Sequence, residues 1–263
     1  MSTTLEATKP SHTVVSRSQW LAARKSLLEK EKQYTHLRDE LAQLRQQLPW
    51  VKVEKPYSFE TPCGTHPLAD LFGDQPQLLV YHFMFGPDWP EGCPSCSMIA
   101  DALNGIAPHI RQRDISLMLV SRAPLDKLQA FKARMGWDNL FWASSADSDF
   151  NQDFGVTFNE AQIKSGKIYN FGTQAFTKSE APGMSAFIKQ GNDVYHTYST
   201  YGRGVEELLG VYALLDMAPN GRNEASLPWP MAWVKHHDKY EDAPKNPAKL
   251  SVSVAEKSSC GCD

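Results

Sequence analysis

The chain of 263 residues lacks several features that would declare a class at once. It opens Met1-Ser2-Thr3-Thr4-Leu5-Glu6, without the basic-then-apolar order of a secretory leader, and no apolar run approaches the length of a membrane span. The expectation is a cytoplasmic protein with no membrane partner. Charge of one sign is missing too. With 27 Lys and Arg against 30 Asp and Glu, the formal charge of −3 supplies no electrostatic footprint for nucleic acid. Cysteine is sparse, at five residues. In a reducing compartment these do not form a static framework, so a paired set serves catalysis, redox exchange or metal.

What is present centres on Gly86-Pro87-Asp88-Trp89-Pro90-Glu91-Gly92-Cys93-Pro94-Ser95-Cys96. Before it, Leu78 to Phe85 is an apolar run of buried-strand length; after it, Ser97 to Leu103 has helical spacing. A Cys-x-x-Cys therefore sits where a strand gives way to a helix. At a helix N-terminus the first thiol, Cys93, faces unpaired backbone N–H groups and the positive dipole end, both of which favour thiolate. Cys96 lies one turn in, close enough to resolve a mixed disulfide. Two other readings stay open. A zinc half-site needs a second ligand pair, and no other Cys-x-x-Cys exists in the chain. Two inert, buried thiols are the third reading, although Gly92 and Pro94 suggest a tight, exposed turn.

Around this centre the chain reads in order. Residues 1 to 15 are polar and irregular, which predicts disorder. Trp20, Leu27, Tyr34, Leu41 and Leu48 then recur every seven residues, a heptad-like stripe interrupted in its second row by Lys30. A helix with a Ser16/Gln19 capping box and a stop at Pro49 is expected, either packed along its own domain or pairing two copies into a homodimer. Val51, Val53, Tyr57 and Phe59 alternate as an edge strand or hairpin before the turn at Thr61-Pro62-Cys63-Gly64, where Cys63 reads as structural. Beyond the Cys93 helix, expected to bend or restart near Gly105 and Pro108, come a strand at 115–120, a helix at 125–135 and a short strand at 140–143. Such β, helix, β, helix, β order points to an α/β sheet with right-handed crossovers. Residues 147–183 have little periodicity but many aromatics, and read as a packed insertion able to cover the active site. Residues 185–198 form a hairpin with Gly191-Asn192 at its turn, and 205–217 a final helix. From Glu241 onward the chain is rich in Pro, Lys, Ser and Ala, a flexible tail ending in Cys260-Gly261-Cys262. That terminal pair is either a mobile relay dithiol, a metal ligand pair or incidental. The implied domains are an arm at 1–49, a central domain at 50–220 and an extension at 221–263.

This order of strand, Cys-x-x-Cys helix, strand, helix, hairpin and helix resembles the thioredoxin superfamily. More narrowly, Tyr81-His82-Phe83-Met84-Phe85-Gly86-Pro87, Gly92-Cys93-Pro94-Ser95-Cys96, Val120-Ser121-Arg122-Ala123-Pro124, Arg134-Met135-Gly136-Trp137, Ser148-Asp149-Phe150-Asn151 and His196-Thr197-Tyr198-Ser199-Thr200-Tyr201 resemble the bacterial thioredoxin-like family catalogued as domain of unknown function 899. The resemblance covers roughly residues 18 to 225. It implies a thioredoxin-like α/β fold with a long N-terminal helical arm and an insertion before the last hairpin. It also implies that Cys93 attacks and Cys96 resolves. Gly92 stands where thioredoxins usually carry Trp. Peroxiredoxins carry Pro and Thr seven and three residues before the peroxidatic Cys, whereas Gly86 and Pro90 stand there in this chain. Thioredoxins also place a cis-Pro facing the dithiol, for which Pro182 is the nearest candidate.

Asp88 and Glu91 are the nearest carboxylates able to take the proton of the resolving thiol, although Glu91 reads better as a solvated loop charge. His82 reads as a hydrogen-bonded core histidine ahead of a catalytic one. Trp89 and Arg203 are candidate substrate contacts, and His236 and His237 are assigned no role. The leading function is a thiol–disulfide oxidoreductase that needs no cofactor and takes a thiol or disulfide substrate together with a reductant. The alternatives are a metal-binding or metal-delivery protein using Cys93, Cys96, Cys260 and Cys262, and a non-catalytic thioredoxin-like module that binds through its heptad arm.

Overall fold

A computed structural model describes residues 12–241. Cys260 and Cys262, the tail that carries them, and most of the N-terminal segment expected to be disordered lie outside the described residues. Contacts divide the chain into two units, Met1–Pro49 and Trp50–Asp263. Among its described residues the first contains one helix, α1 (Arg17–Gln46), opened by the expected capping box: the Gln19 N–H donates to Ser16 Oγ at 3.4 Å and the Ser16 N–H to Gln19 Oε1 at 3.1 Å. No side chain of α1 is buried, and Trp20, Leu27, Tyr34 and Leu41 of the heptad row are all exposed.

The second unit is built on an eight-stranded sheet. Its elements are β1 (Val51–Lys52), β2 (Ser58–Thr61), β3 (Gly64–Pro67), β4 (Gln77–His82), α2 (Pro94–Arg111), β5 (Ile115–Ser121), α3 (Leu125–Arg134), β6 (Phe141–Ser144), α4 (Phe150–Asp153), α5 (Glu160–Ser165), β7 (Lys167–Tyr169), β8 (Gln174–Ala175), β9 (Gly183–Gln190), β10 (Asp193–Tyr201) and α6 (Gly210–Met217). The strand order is β1-β10-β9-β4-β5-β6-β2-β3, with β7 and β8 in a separate ribbon. β4, β5 and β6 run parallel, while β9 pairs antiparallel with both β4 and β10. The consecutive quartet β10-β9-β4-β5, with α2 crossing between β4 and β5, is the thioredoxin arrangement. Among the described residues no helix is long and apolar enough to cross a membrane.

Alternation along the strands divides the core in two. Leu79 and Tyr81 of β4 meet Cys96, Ile99 and Leu103 of α2, together with Leu128 and Phe131 of α3. Leu78 and Val80 face the opposite side, against Phe59, Phe72 and Phe150. Both crossover helices pack on the first face because β4, β5 and β6 advance across the sheet in one direction. The second face is closed by the 57–72 segment and by α4 with Phe154.

Three expectations need correction. The alternating stretch at 50–59 does not form one strand: β1 pairs with β10 at one edge of the sheet, whereas β2 and β3 form a hairpin at the other. α2 runs unbroken through Pro108, because the Asn104 carbonyl that Pro108 cannot satisfy accepts instead from Asn139 Nδ2 at 3.2 Å. The final helix is split into a 3₁₀ turn at Gly202–Leu208 followed by α6. Cys63 lies exposed at the expected turn, between β2 and β3, its N–H donating to Thr61 Oγ1 at 3.1 Å.

Candidate active site at the Cys93–Cys96 helix terminus

Cys93 is the N-cap of α2 and Pro94 its first helical residue, where a missing N–H costs nothing. The loop is clamped before it reaches the thiol: the Cys93 N–H donates to the Met84 carbonyl at 3.0 Å. Gly92 is required beside it. A Cβ there would come within 2.6 Å of Phe83 Cε1, so the buried Phe83 ring fills the space that a larger residue at this position would need.

The two thiols differ in environment. Cys93 retains partial exposure, whereas Cys96 is 2% exposed. The Cys93 thiol is pushed down to about 6 by a hydrogen bond from Cys96, against the opposing effect of burial, with further help from the N–H groups of Cys96 and Ser95 and the charge of Lys178. Cys96 is driven well above the ordinary thiol range by burial, by its hydrogen bond to Cys93 and by the Cys93 charge. One proton is therefore held on Cys96 between two sulfurs, leaving Cys93 as the thiolate.

Tyr81 lies beneath this pair. It is fully buried, and burial, followed by the charge of the neighbouring Cys96 and a hydrogen bond to its sulfur, raises the hydroxyl well above the usual phenol range. Both Tyr81 and the thiols line a cavity of about 410 Å³, walled by Met84, Ile99, Phe176, Val205 and Leu209 among others. Tyr169, Phe176 and Pro182 bring the 147–183 insertion to its wall, as expected of a segment covering the site. A larger depression of about 530 Å³ lies around Thr61, His66, Arg111 and Asn139, with Cys63 on its lining but no second thiol. Chemistry, not volume, selects the smaller cavity.

The sequence candidates scatter. Pro182 lines the cavity, but no peptide bond among the described residues is cis, and its carbonyl accepts from the Tyr169 hydroxyl. Arg203 is also on the lining, largely exposed and paired with Glu206 at 3.1 Å. Asp88 is exposed on the loop and Trp89 packs back on Gly86; neither lines the cavity. Glu91 is no free solvated charge. It pairs with Lys239 at 2.7 Å, Arg134 at 3.0 Å and His236 at 3.2 Å, tying the cysteine loop to the C-terminal extension.

His82 proves to be a core histidine. The same alternation that turns Tyr81 toward α2 turns His82 to the other face, where its ring stacks on Phe150 and Phe154 and Nε2 meets Ser185 Oγ at 2.8 Å. Burial, with the charge of His196 adding to it, pushes it down to about 3, so it is neutral.

Sequence reading missed His236 and Tyr81. His236 is buried, with Nε2 donating to the Gly92 carbonyl at 2.8 Å, one residue before Cys93. His237 Nδ1 lies 2.8 Å from Asp101 Oδ1 on α2. No local pattern marks an extension residue that docks 144 positions away. Tyr81 could have been found: a strand leading into a Cys-x-x-Cys helix turns alternate residues under it, and Tyr is the polar one of that set.

Sequence comparison bears on this geometry directly. The profile of a family described as "Bacterial protein of unknown function (DUF899)" matches residues 9–240, most of the chain and all of the site. The chain belongs to that family. No curated protein matches the sequence. Among solved structures, the peroxidoxin BcpB from Mycobacterium tuberculosis is similar at 14% identity and a TM-score of 0.43, covering 62% of this chain and 94% of that one. Peroxiredoxin Q from Xanthomonas campestris is similar at 16% identity and a TM-score of 0.42, covering 66% and 96% respectively. Identities this low leave the chemistry to the site itself.

Proposed function

We propose that this protein is a thiol–disulfide oxidoreductase with Cys93 as nucleophile and Cys96 as resolving thiol. The carrying observation is the asymmetry of the pair: a partly accessible, low-pKa thiol at a helix N-cap beside a buried thiol that holds the shared proton. The Cys93 thiolate attacks one sulfur of a disulfide RSSR, forming Cys93–S–S–R and expelling RS⁻. That step removes the negative charge and the hydrogen-bond acceptor that kept the proton on Cys96. Cys96 then loses its proton to the departing thiolate and attacks Cys93 Sγ, expelling a second RS⁻ and leaving the Cys93–Cys96 disulfide. Two electrons pass from the dithiol to RSSR, and an external dithiol restores the reduced enzyme.

Asp88 is not needed in this scheme, because the leaving thiolate serves as proton acceptor. The test is disulfide reduction with dithiothreitol as the terminal reductant, measured for wild type, Cys93→Ser and Cys96→Ser. Cys93→Ser is expected to lose all turnover. Cys96→Ser, pre-reduced and given the disulfide without dithiothreitol, should stop at a mixed disulfide on Cys93, visible by mass spectrometry of the intact protein. A Cys93→Ser variant as active as wild type would refute the assignment.

A further inference from the structure

We infer that the cavity beside Cys93 is a substrate pocket for a small, uncharged, predominantly apolar alkyl disulfide, so that the protein acts on low-molecular-weight disulfides in preference to charged or macromolecular ones. The inference rests on the thiol–disulfide reading and adds the substrate class to it. At about 410 Å³ the cavity falls within the size range of small-molecule sites, about 300–1,000 Å³. It opens on the nucleophile itself, since Cys93 is part of its lining.

The walls give the polarity. Met84, Ile99, Phe176, Val205, Leu209 and Met231 present hydrocarbon and thioether surface to the space. Charged residues stand on the lining as well, each already engaged by an ion pair or by hydrogen bonds. Arg222 reaches Glu206 at 2.6 Å and Asp216 at 2.7 Å, and Arg203 pairs with Glu206 at 3.1 Å. Glu224 Oε1 accepts from the Tyr212 hydroxyl, the Met231 N–H and Trp233 Nε1 at 2.7, 2.9 and 2.6 Å. A ligand carboxylate or ammonium would meet charged groups that are already engaged, so it would gain little to offset its own desolvation against the apolar walls.

One polar group on the lining already faces sulfur. The Tyr81 hydroxyl is fully buried on the cavity lining and hydrogen-bonded toward Cys96. It asks for no polar partner from a ligand, and an uncharged alkyl disulfide brings no polar group that these walls would leave unpaired.

The electron balance is unchanged: the Cys93–Cys96 dithiol is oxidised, RSSR is reduced to two thiols, and a dithiol reductant closes the cycle.

The experiment uses full-length reduced protein and three alkyl disulfides of similar intrinsic reactivity: dipropyl disulfide, bis(2-hydroxyethyl) disulfide and oxidised glutathione. Each rate constant is divided by that of dithiothreitol with the same disulfide. Dipropyl disulfide is expected to exceed the hydroxyethyl compound by about tenfold or more, the factor that burial of a few additional apolar carbons supplies, and to exceed oxidised glutathione further. Leu209→Trp, which fills the cavity from its wall, and Gln174→Trp, which covers it from an exposed lining position, should both bring the propyl-to-hydroxyethyl ratio toward one. A ratio measured within one preparation is insensitive to the fraction of either variant that fails to fold.

A wild-type ratio near one, with ready reduction of the hydroxyethyl compound or of insulin, would overturn the inference and leave the thiol–disulfide reading standing. A high ratio unaltered in both variants would overturn the cavity as its cause. Failure to reduce any disulfide would remove both readings together.

Discussion

The ionisation of Cys93 yields a quantitative expectation. A thiol at its ordinary value of 9.0 is about 1% ionised at pH 7, whereas one at about 6 is about 90% ionised. Nucleophilicity falls with basicity along a Brønsted slope of about 0.4–0.5, so a drop of about three units costs a factor of roughly 15–30 in the intrinsic rate of the thiolate. At pH 7 the net advantage of Cys93 over an unperturbed thiol is therefore only about three- to sixfold. The pH profile is the sharper signature. Alkylation of Cys93 by iodoacetamide, followed site by site through peptide mapping, should rise to a plateau with a midpoint near pH 6. Cys96 should stay unlabelled across the same range, because burial and the Cys93 charge hold its proton.

The cause of the shift can be separated as well. Cys96→Ala removes the leading hydrogen bond and should move the midpoint upward, whereas Cys96→Ser keeps a donor and should move it less. Lys178→Gln removes a smaller contribution and should move it upward by less than Cys96→Ala does. A midpoint above about 8 in wild type, or one that Cys96→Ala leaves in place, refutes the assignment of the shift to this local geometry.

Three further outcomes follow from the packing. His82 is neutral and buried in the folded chain, pushed down to about 3 against an ordinary 6.5, so the unfolded state binds more protons between those values and stability falls as pH drops through that window. Between pH 7 and pH 5 the loss should be about 2 kcal/mol from this group in urea unfolding, and His82→Gln should lose that part of the pH dependence. Gly92→Ala forces a methyl against the buried Phe83 ring and should lower stability by about 1–3 kcal/mol, the usual range for overpacking; a neutral result in thermal denaturation would contradict the close contact. His236→Ala leaves the buried Gly92 carbonyl without its donor and should cost about 1–3 kcal/mol, while hydrogen exchange quickens at residues 86–93; unchanged exchange there would show that the extension does not hold the cysteine loop.

Much of this molecule was legible from residue order. The apolar run from Leu78 to Phe85, too short before Gly86-Pro87 for an amphipathic helix, marked the central strand, although β4 itself covers Gln77–His82 and Phe83 to Phe85 continue beyond it. The Cys-x-x-Cys had to fall at a helix start because Pro94 is tolerated in the first turn and helical spacing resumes at Ser97. The Gly191-Asn192 turn fixed the late hairpin in the same local way. The helix terminus supplies N–H groups that lower the Cys93 pKa, but the leading cause is the hydrogen bond from Cys96, and Lys178 adds its charge from the insertion.

Tertiary structure decided what depends on contacts between distant segments. Val51 and Phe59 look alike in sequence, yet β1 pairs with β10 and β2 with β6, at opposite ends of the sheet, because strand partners are chosen by long-range hydrogen bonding that alternation cannot encode. Pro108 lies inside α2 because a side chain 31 positions beyond it, Asn139, satisfies the carbonyl left free. Glu91 is a clamp, not a loop charge, because Lys239 and His236 arrive from the extension. The thiols themselves were set by local sequence, but the cavity they open into was not: Tyr169 and Phe176 of the insertion, Leu209 before α6 and Met231 of the extension meet there only once the chain has closed around α2. The two thiols and the N–H groups beside them belong to one helix end, whereas the cavity walls and the charge of Lys178 come from distant parts of the chain.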